Sequence, residues 1–185
     1  MNGIEAYETI KNYFPQSNVT RACVYVVARR QEAGIINSSG SLQKIYFGPG
    51  NDDRKFSLSL ENKLQLAGID ASYRDDIISL TWEKFLFISP LATTTSYFDC
   101  SIGLLLEDSI KKNNLMMMID ELYKISQALK IELPDDVIQK ITDRIHSLPY
   151  QNTSSMHIDY KQKTGNTELE SLTGYTIRLG RDTGI

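Results

Sequence analysis

The hydrophobic pattern changes period near Asp75, and that change constrains the fold more than any other feature of the chain. Before it, apolar residues come in Val- and Tyr-rich runs bounded by turn residues, as strands do. After it, they recur every three to four residues, as on amphipathic helices. A chain written this way folds as an α/β piece over residues 1–74 followed by an all-helical piece over residues 75–185. Its 185 residues suit one compact domain or two small ones.

In the first piece, IEAYETIKNYF spaces Ile4, Tyr7, Ile10 and Phe14 as one helical stripe, which Pro15 stops. VTRACVYVVA predicts a buried strand. GIINSSGSLQKIYFG predicts two strands around turn residues 37–40. FSLSLENKLQLAG predicts a helix with Leu58, Leu60, Leu64 and Leu66 on its stripe and Gly68 at its C-terminal cap. These strands are too few for a self-sufficient doubly wound sheet, and they leave an edge that needs covering. The piece reads as the middle of a domain.

In the second piece, Asp75 or Asp76 caps a helix through IISLTWEKFLFIS. Pro90 should kink or break it, with LATTTSYFDCSIG resuming. An amphipathic helix is predicted over 115–129, with Leu115, Ile119, Leu122, Ile125 and Leu129 on one stripe. LPDDVIQKITDRIHSLP predicts another, with Pro134 and the acidic pair in its first turn and Pro149 at its end. TELESLTGYTIRLG predicts the last, with Leu169, Leu172 and Ile177 partly apolar.

Composition narrows the function. A net charge of −3 provides no basic field, which argues against a nucleic-acid partner. The two cysteines, Cys23 and Cys100, form no CxxC and no Cys/His cluster that would hold zinc, and they read as free buried thiols in a reducing cytoplasm. The LMMMI run at 115–119 is too short to span a bilayer, and MNGIEAYETI has no signal-peptide pattern. A cytoplasmic, soluble protein without a membrane role is expected. Neither G-x-G-x-x-G nor G-x-x-x-x-G-K-[ST] occurs, so the chain carries no recognisable phosphate loop.

Several residues carry chemistry or a plainer role. Lys84 sits in TWEKFLFIS among Trp82, Phe85, Leu86 and Phe87. Desolvation on such a helix would disfavour its charge and ready it for proton transfer. Equally, it snorkels to water or pairs with an acid, and taken alone that reading is favoured, since most lysines are solvated. Thr167 and Glu170 have the spacing of a capping box, which leaves Glu168 as an extra first-turn acid. Ser154 and Ser155 either cap a helix through MHIDY or meet a carboxylate at its N-terminus. His157 and His146 are assigned no catalytic part.

In order along the chain, Asn2-Gly3, VARR at 27–30, GIINSSGSLQKIYFG, WEKF, SSMHID and TELESLTGY resemble the ketopantoate reductase family (2-dehydropantoate 2-reductases). The resemblance covers essentially the whole chain. Its most specific pieces are Ser154-Ser155-Met156 with Asp159, and Thr167-Glu168. It implies a remnant of a Rossmann-like nucleotide-binding domain over 1–74 and a helical substrate domain over 75–185. It also implies NADPH as cofactor, a small 2-keto acid as substrate, and self-association as a homodimer in some members. Lys84 matches the proton-donating lysine, Glu168 the active-site glutamate, and Ser155 with Met156 the substrate-binding segment. Asn2 matches an asparagine near nicotinamide and substrate, and Ala28 a position beside the cofactor. The implied activity is reduction of ketopantoate to pantoate for coenzyme A synthesis.

The sequence departs from that family in two respects. Relatives place a strand and a glycine-rich turn before Asn-Gly, where here Met1 precedes Asn2, and they continue past Gly184-Ile185. The expectation is a truncated chain that binds NADPH poorly alone. Positions where relatives carry asparagine hold Ile88, Ala92 and Ile102, with Ser89, Thr93 and Thr95 as nearby polar replacements. Those apolar residues favour a second reading, a reductase of a less hydroxylated 2-keto acid. A third reading, a non-catalytic helical interaction module, rests on the missing phosphate loop and on Met116, Met117 and Met118, for which core packing is the plainer account.

Overall fold

The computed structural model describes residues 2–50, 54–163, 165 and 167–185. They form two units, one of residues 6–81 and one of residues 2–5 and 82–185.

The first unit opens with α1 (Ala6–Tyr13), which buries none of its residues. A long hairpin follows, β1 (Arg21–Glu32) and β2 (Ile35–Gly48), joined at Ala33 and Gly34. Gly34 has φ +84, which a residue without a Cβ adopts at no steric cost. The turn expected at residues 37–40 is not there, because Asn37, Ser38 and Ser39 are paired with β1 inside β2. Its sequence shows instead as an irregularity: Tyr25 faces Lys44 and Val27 faces Ser39, so residues 40–43 bulge opposite Val26. Cross-strand pairing with β1 overrides the local turn preference of Asn and Ser.

Helix α2 (Arg54–Leu66) leads to a short strand not anticipated from the sequence, β3 (Ala71–Tyr73). It pairs in parallel with β2 at Ile45, Tyr46 and Phe47, giving the order β1-β2-β3. Glu61 and Gln65 of α2 bond the β3 backbone, at Tyr73 N and Ala71 O. The inward face of α2 is therefore Ser57, Leu60 and Leu64, while Leu58 and Leu66 lie exposed, which corrects the expected leucine stripe. Gly68 closes the helix at φ +78, its N–H bonding Gln65 O while that of Ile69 reaches Leu64 O. β1 is not the buried strand its composition suggested. Cys23 is buried, but Val26 and Val27 are 49% and 59% exposed, because β3 reaches only the proximal part of the hairpin.

In the second unit the helices are α3 (Ile77–Tyr97), which begins in the first unit, α4 (Ile102–Glu107), α5 (Ser109–Ala128), α6 (Val137–His146) and α7 (Ser155–Gln162). A π-helical turn (Glu170–Gly174) then runs directly into α8 (Tyr175–Thr183). Their apolar faces meet in one core, with Phe85, Leu86, Leu105, Ile119, Leu122 and Leu172 almost fully excluded from water. Pro90 does not break α3 as expected. Phe85 and Leu86 before it and Leu91 and Ala92 after it are all buried, and this packing holds both halves in line. α5 starts earlier than the periodicity indicated. Asp108 Oδ1 accepts from the N–H groups of Ile110 and Lys111 and so fixes the start. Its stripe of Leu115, Ile119, Leu122 and Ile125 is buried, whereas Leu129 is the cap residue and is exposed. Cys23 and Cys100 are free, buried thiols, and burial pushes the Cys100 thiol up.

Candidate functional site

The extreme N-terminal segment is held against the last helical stretch of the second unit. Asn2 Nδ2 donates to Glu168 Oε2 at 3.0 Å, and both residues are half-buried. Gly3, at φ +90, passes the π-helical turn so closely that a Cβ there would lie 3.0 Å from Ser171 O. Ile4 packs on the helical core, and Glu5 takes Arg178 at 3.1 Å. Ser171 Oγ and Leu172 N both donate to Glu168 O, so the backbone of Glu168 is fixed from its C-terminal side. π-turns interrupt helices at a cost and recur where a side chain must be presented. The expected capping box is absent. Thr167 is exposed, no side chain caps the π-turn, and Glu170 pairs with Arg178 instead at 3.4 Å.

α3 supplies the neighbouring wall. Lys84 is half-buried, between Trp82 and Phe85 in sequence. The Phe85 ring stands edge-on to Trp82 at 6.0 Å and to Tyr175, the first residue of α8, at 6.4 Å. The turns that follow carry hydroxyls to the same partner. Ser89 Oγ meets Thr176 Oγ1 at 3.2 Å, and Thr93 Oγ1 meets Thr173 Oγ1 at 2.6 Å. Thr93 Oγ1 also donates to Ser89 O. Ser89 and Thr93 thus bind α3 to the π-turn and α8. Ala92 and Ile102 are buried, and Ile88 packs against the core.

α7 begins where the sequence suggested, with Ser154 as its cap. The Ser154 hydroxyl accepts from His157 N at 3.1 Å and meets Thr95 Oγ1 at 2.8 Å. Ser155, the first helical residue, is exposed. The Met156 side chain lies in the core at 2% exposure, so of Ser155 and Met156, the two residues expected to bind substrate, only Ser155 offers its side chain to solvent.

His157 is the residue whose engagement the sequence did not reveal. It is 4% exposed, with Nδ1 2.6 Å from Thr153 Oγ1 and Nε2 2.7 Å from Asp99 Oδ1. Lys161 Nζ also approaches Asp99 Oδ1, at 3.0 Å. Hydrogen bonds from His157 and then Lys161 hold the Asp99 carboxyl below its ordinary value. The spacing of Thr153 and His157 was visible in the sequence, but Asp99 comes from the far end of α3. His146, near the end of α6, places Nδ1 2.8 Å from Thr142 O.

Ala28 belongs to the first unit, exposed on β1 opposite Ser38. Among the described residues no group of His, Cys, Asp and Glu is arranged to hold a metal ion. No helix among them is long and apolar enough to cross a membrane.

Two family descriptions match the chain: "Ketopantoate reductase PanE/ApbA C terminal" over residues 76–185 and "Ketopantoate reductase PanE/ApbA" over residues 1–52. A 2-dehydropantoate 2-reductase of Streptococcus pyogenes serotype M6 is 24% identical over 189 residues, which cover 100% of this chain and 60% of that protein. The chain thus spans about three fifths of the length of the curated relatives it matches. Among solved structures, the 2-dehydropantoate 2-reductase from Porphyromonas gingivalis W83 superposes with a TM-score of 0.80 at 28% identity, over 100% of this chain and 57% of that one. A D-mandelate dehydrogenase bound to NADH and anilino(oxo)acetate shares the fold, with a TM-score of 0.84 at 21% identity over 100% and 60% of the two chains.

Proposed function

Since the chain belongs to the ketopantoate reductase family, we propose that it is the substrate-handling part of an NADPH-dependent reductase converting 2-dehydropantoate to pantoate, in the synthesis of pantothenate and coenzyme A. The contact between Asn2 and Glu168 carries the reading most directly. It joins two expected site residues from opposite ends of the chain.

The residues present fit the nicotinamide end of such a cofactor. Asn2 and Glu168 offer an amide and a carboxylate side by side on a glycine-bearing, close-packed turn, while the sequence holds no glycine-rich loop for the phosphates. Ala28 would border the cofactor through its backbone. A reduced nicotinamide, when bound, supplies hydride to the keto carbon. In this reading Lys84 gives its proton to the keto oxygen as the carbon is reduced, and its charge stabilises the alkoxide that develops. Ser155 holds the substrate carboxylate at the start of α7, with Met156 contributing through its backbone. Glu168 orients the substrate and the amide of Asn2. Cytoplasmic location and a homodimer of the whole protein belong to the same proposal.

The test joins this chain to the preceding portion of the Streptococcus pyogenes relative and assays NADPH oxidation with 2-dehydropantoate. Lys84→Ala should lower turnover by about 10²–10⁴-fold, the range of a positioned general acid. Unchanged turnover would remove Lys84 from the chemistry.

A second reading, reduction of a less hydroxylated 2-keto acid, is favoured by the apolar Ile88, Ala92 and Ile102 beside the hydroxyls that α3 commits to Thr173 and Thr176. The D-mandelate dehydrogenase fold match is in keeping with it. A panel of 2-keto acids, run with NADPH and NADH, decides between them. Clear preference for 2-dehydropantoate eliminates the second reading.

A further inference from the structure

We propose that Asp99, His157 and Thr153 form a positioning relay that fixes the entry into α7, and so sets where Ser155 meets the carboxylate of a 2-keto acid. This rests on the reading of Ser155 given above.

The relay is a chain of polar contacts with few alternative arrangements. An ionised Asp99 can only accept, so His157 Nε2 carries a proton toward it, and in the neutral ring Nδ1 accepts from the Thr153 hydroxyl. Both ring nitrogens are then satisfied in a nearly dry position. A buried polar group with every partner in place tolerates little displacement, since any shift leaves a group unpaired. The neighbouring contacts extend this constraint along the chain. Gly103 N and Ile102 N bond Tyr150 O and Asn152 O at 2.9 and 2.8 Å. Thr153 is tied by the histidine ring, and Ser154 by His157 N and by Thr95. Each link of the approach is thereby fixed, up to the residue that stands exposed, Ser155.

The far end of the relay is equally constrained. Asp99, two residues past the end of α3, has φ +46, a left-handed position that non-glycine residues take at a cost, and Cys100 N reaches back to Thr95 O at 3.2 Å. Thr95, one turn earlier on the same helix, is the hydroxyl that meets Ser154. Two points on the end of α3 therefore grip the start of α7, one through Thr95 and one through Asp99.

The experiment uses the full chain, isotopically labelled, with Thr153→Val, Thr153→Ser and Asp99→Ala, and Ser155→Ala as a control. Imidazole nitrogen shifts should report the Nε2–H form of His157 in the unaltered chain. Thr153→Val and Asp99→Ala should speed amide exchange at residues 154–157 and weaken binding of 2-dehydropantoate about tenfold, the effect of one lost polar contact. Thr153→Ser, which keeps the hydroxyl, should restore both. Thr153→Val and Asp99→Ala with unchanged exchange and affinity would overturn the relay. If exchange responds but the chain shows no affinity for 2-dehydropantoate, or an affinity indifferent to Ser155→Ala, the carboxylate role of Ser155 fails and the ligand part of the inference falls with it.

Discussion

Asp99, in the turn that follows α3, accepts from both His157 and Lys161, and so ties its charge to two contacts at once. Its carboxyl is held below the ordinary value in the folded chain. A depressed carboxyl contributes stability at pH above its unfolded value, and that stability is lost as pH falls through the folded value. The unaltered chain should therefore lose stability more steeply than Asp99→Asn as pH drops from about 5 to about 2, the range over which such carboxylates titrate. Urea midpoints across that range check it, and parallel profiles would mean the charge of Asp99 contributes nothing. Glu170 shows the opposite lesson at the same scale. Its spacing from Thr167 suits a capping box, yet the helix begins as a π-turn, and Arg178, eight residues on and nearby on α8, takes the carboxylate. Spacing rules assume an α-helical first turn, and that assumption fails here.

Helix ends are where local chemistry and the fold agree best. Gly68 was legible as a cap because its left-handed conformation suits glycine. Lys130 fills the same kind of position after α5, at φ +57, with its N–H on Gln127 O and that of Ile131 on Ser126 O. A lysine there is strained, and no local sequence signal marks the position as a cap. Lys130→Gly keeps both backbone bonds and relieves the strain. It should raise stability by about 0.5–1 kcal/mol net of the greater freedom of glycine in the unfolded chain. A thermal midpoint up by a few degrees supports this, and an unchanged or lower one contradicts it. Pro90 was misjudged for the converse reason. A lost backbone bond in α3 is a local cost, and the buried residues on both sides outweigh it.

Across the whole molecule, burial is uneven. The second unit holds the large core, whereas the hairpin of the first leaves Val26, Val27, Ile35 and Ile36 at about half exposure or more. Amide exchange should therefore be slowest in α5 and the buried part of α3, and fastest along the distal hairpin. Ile119, with no exposed surface in the middle of α5, is the sharper probe. Ile119→Ala should cost about 2–5 kcal/mol, the usual range for emptying a packed aliphatic site. A loss well below that would mean the helices around α5 close over the gap.

The succession of a strand-containing part and an all-helical part, the α5 stripe from Leu115 to Ile125 and the capping serine of α7 follow from the sequence alone. Each depends on contacts within a few residues, and periodicity records those. Lys84, Ser155 and Glu168 were nameable as candidate site residues by resemblance, but their surroundings were not. Three things were settled only by the tertiary structure: that Asn2 reaches Glu168, that Thr93 and Ser89 serve the π-turn and α8, and that Asp99 and Thr153 enclose His157. Apart from the short step from Thr153 to His157, these contacts join residues far apart in the chain, and no local pattern encodes which distant partner satisfies a buried polar group. The same reason explains the hairpin. Asn37, Ser38 and Ser39 prefer a turn by themselves, and only pairing with β1 draws them into a strand.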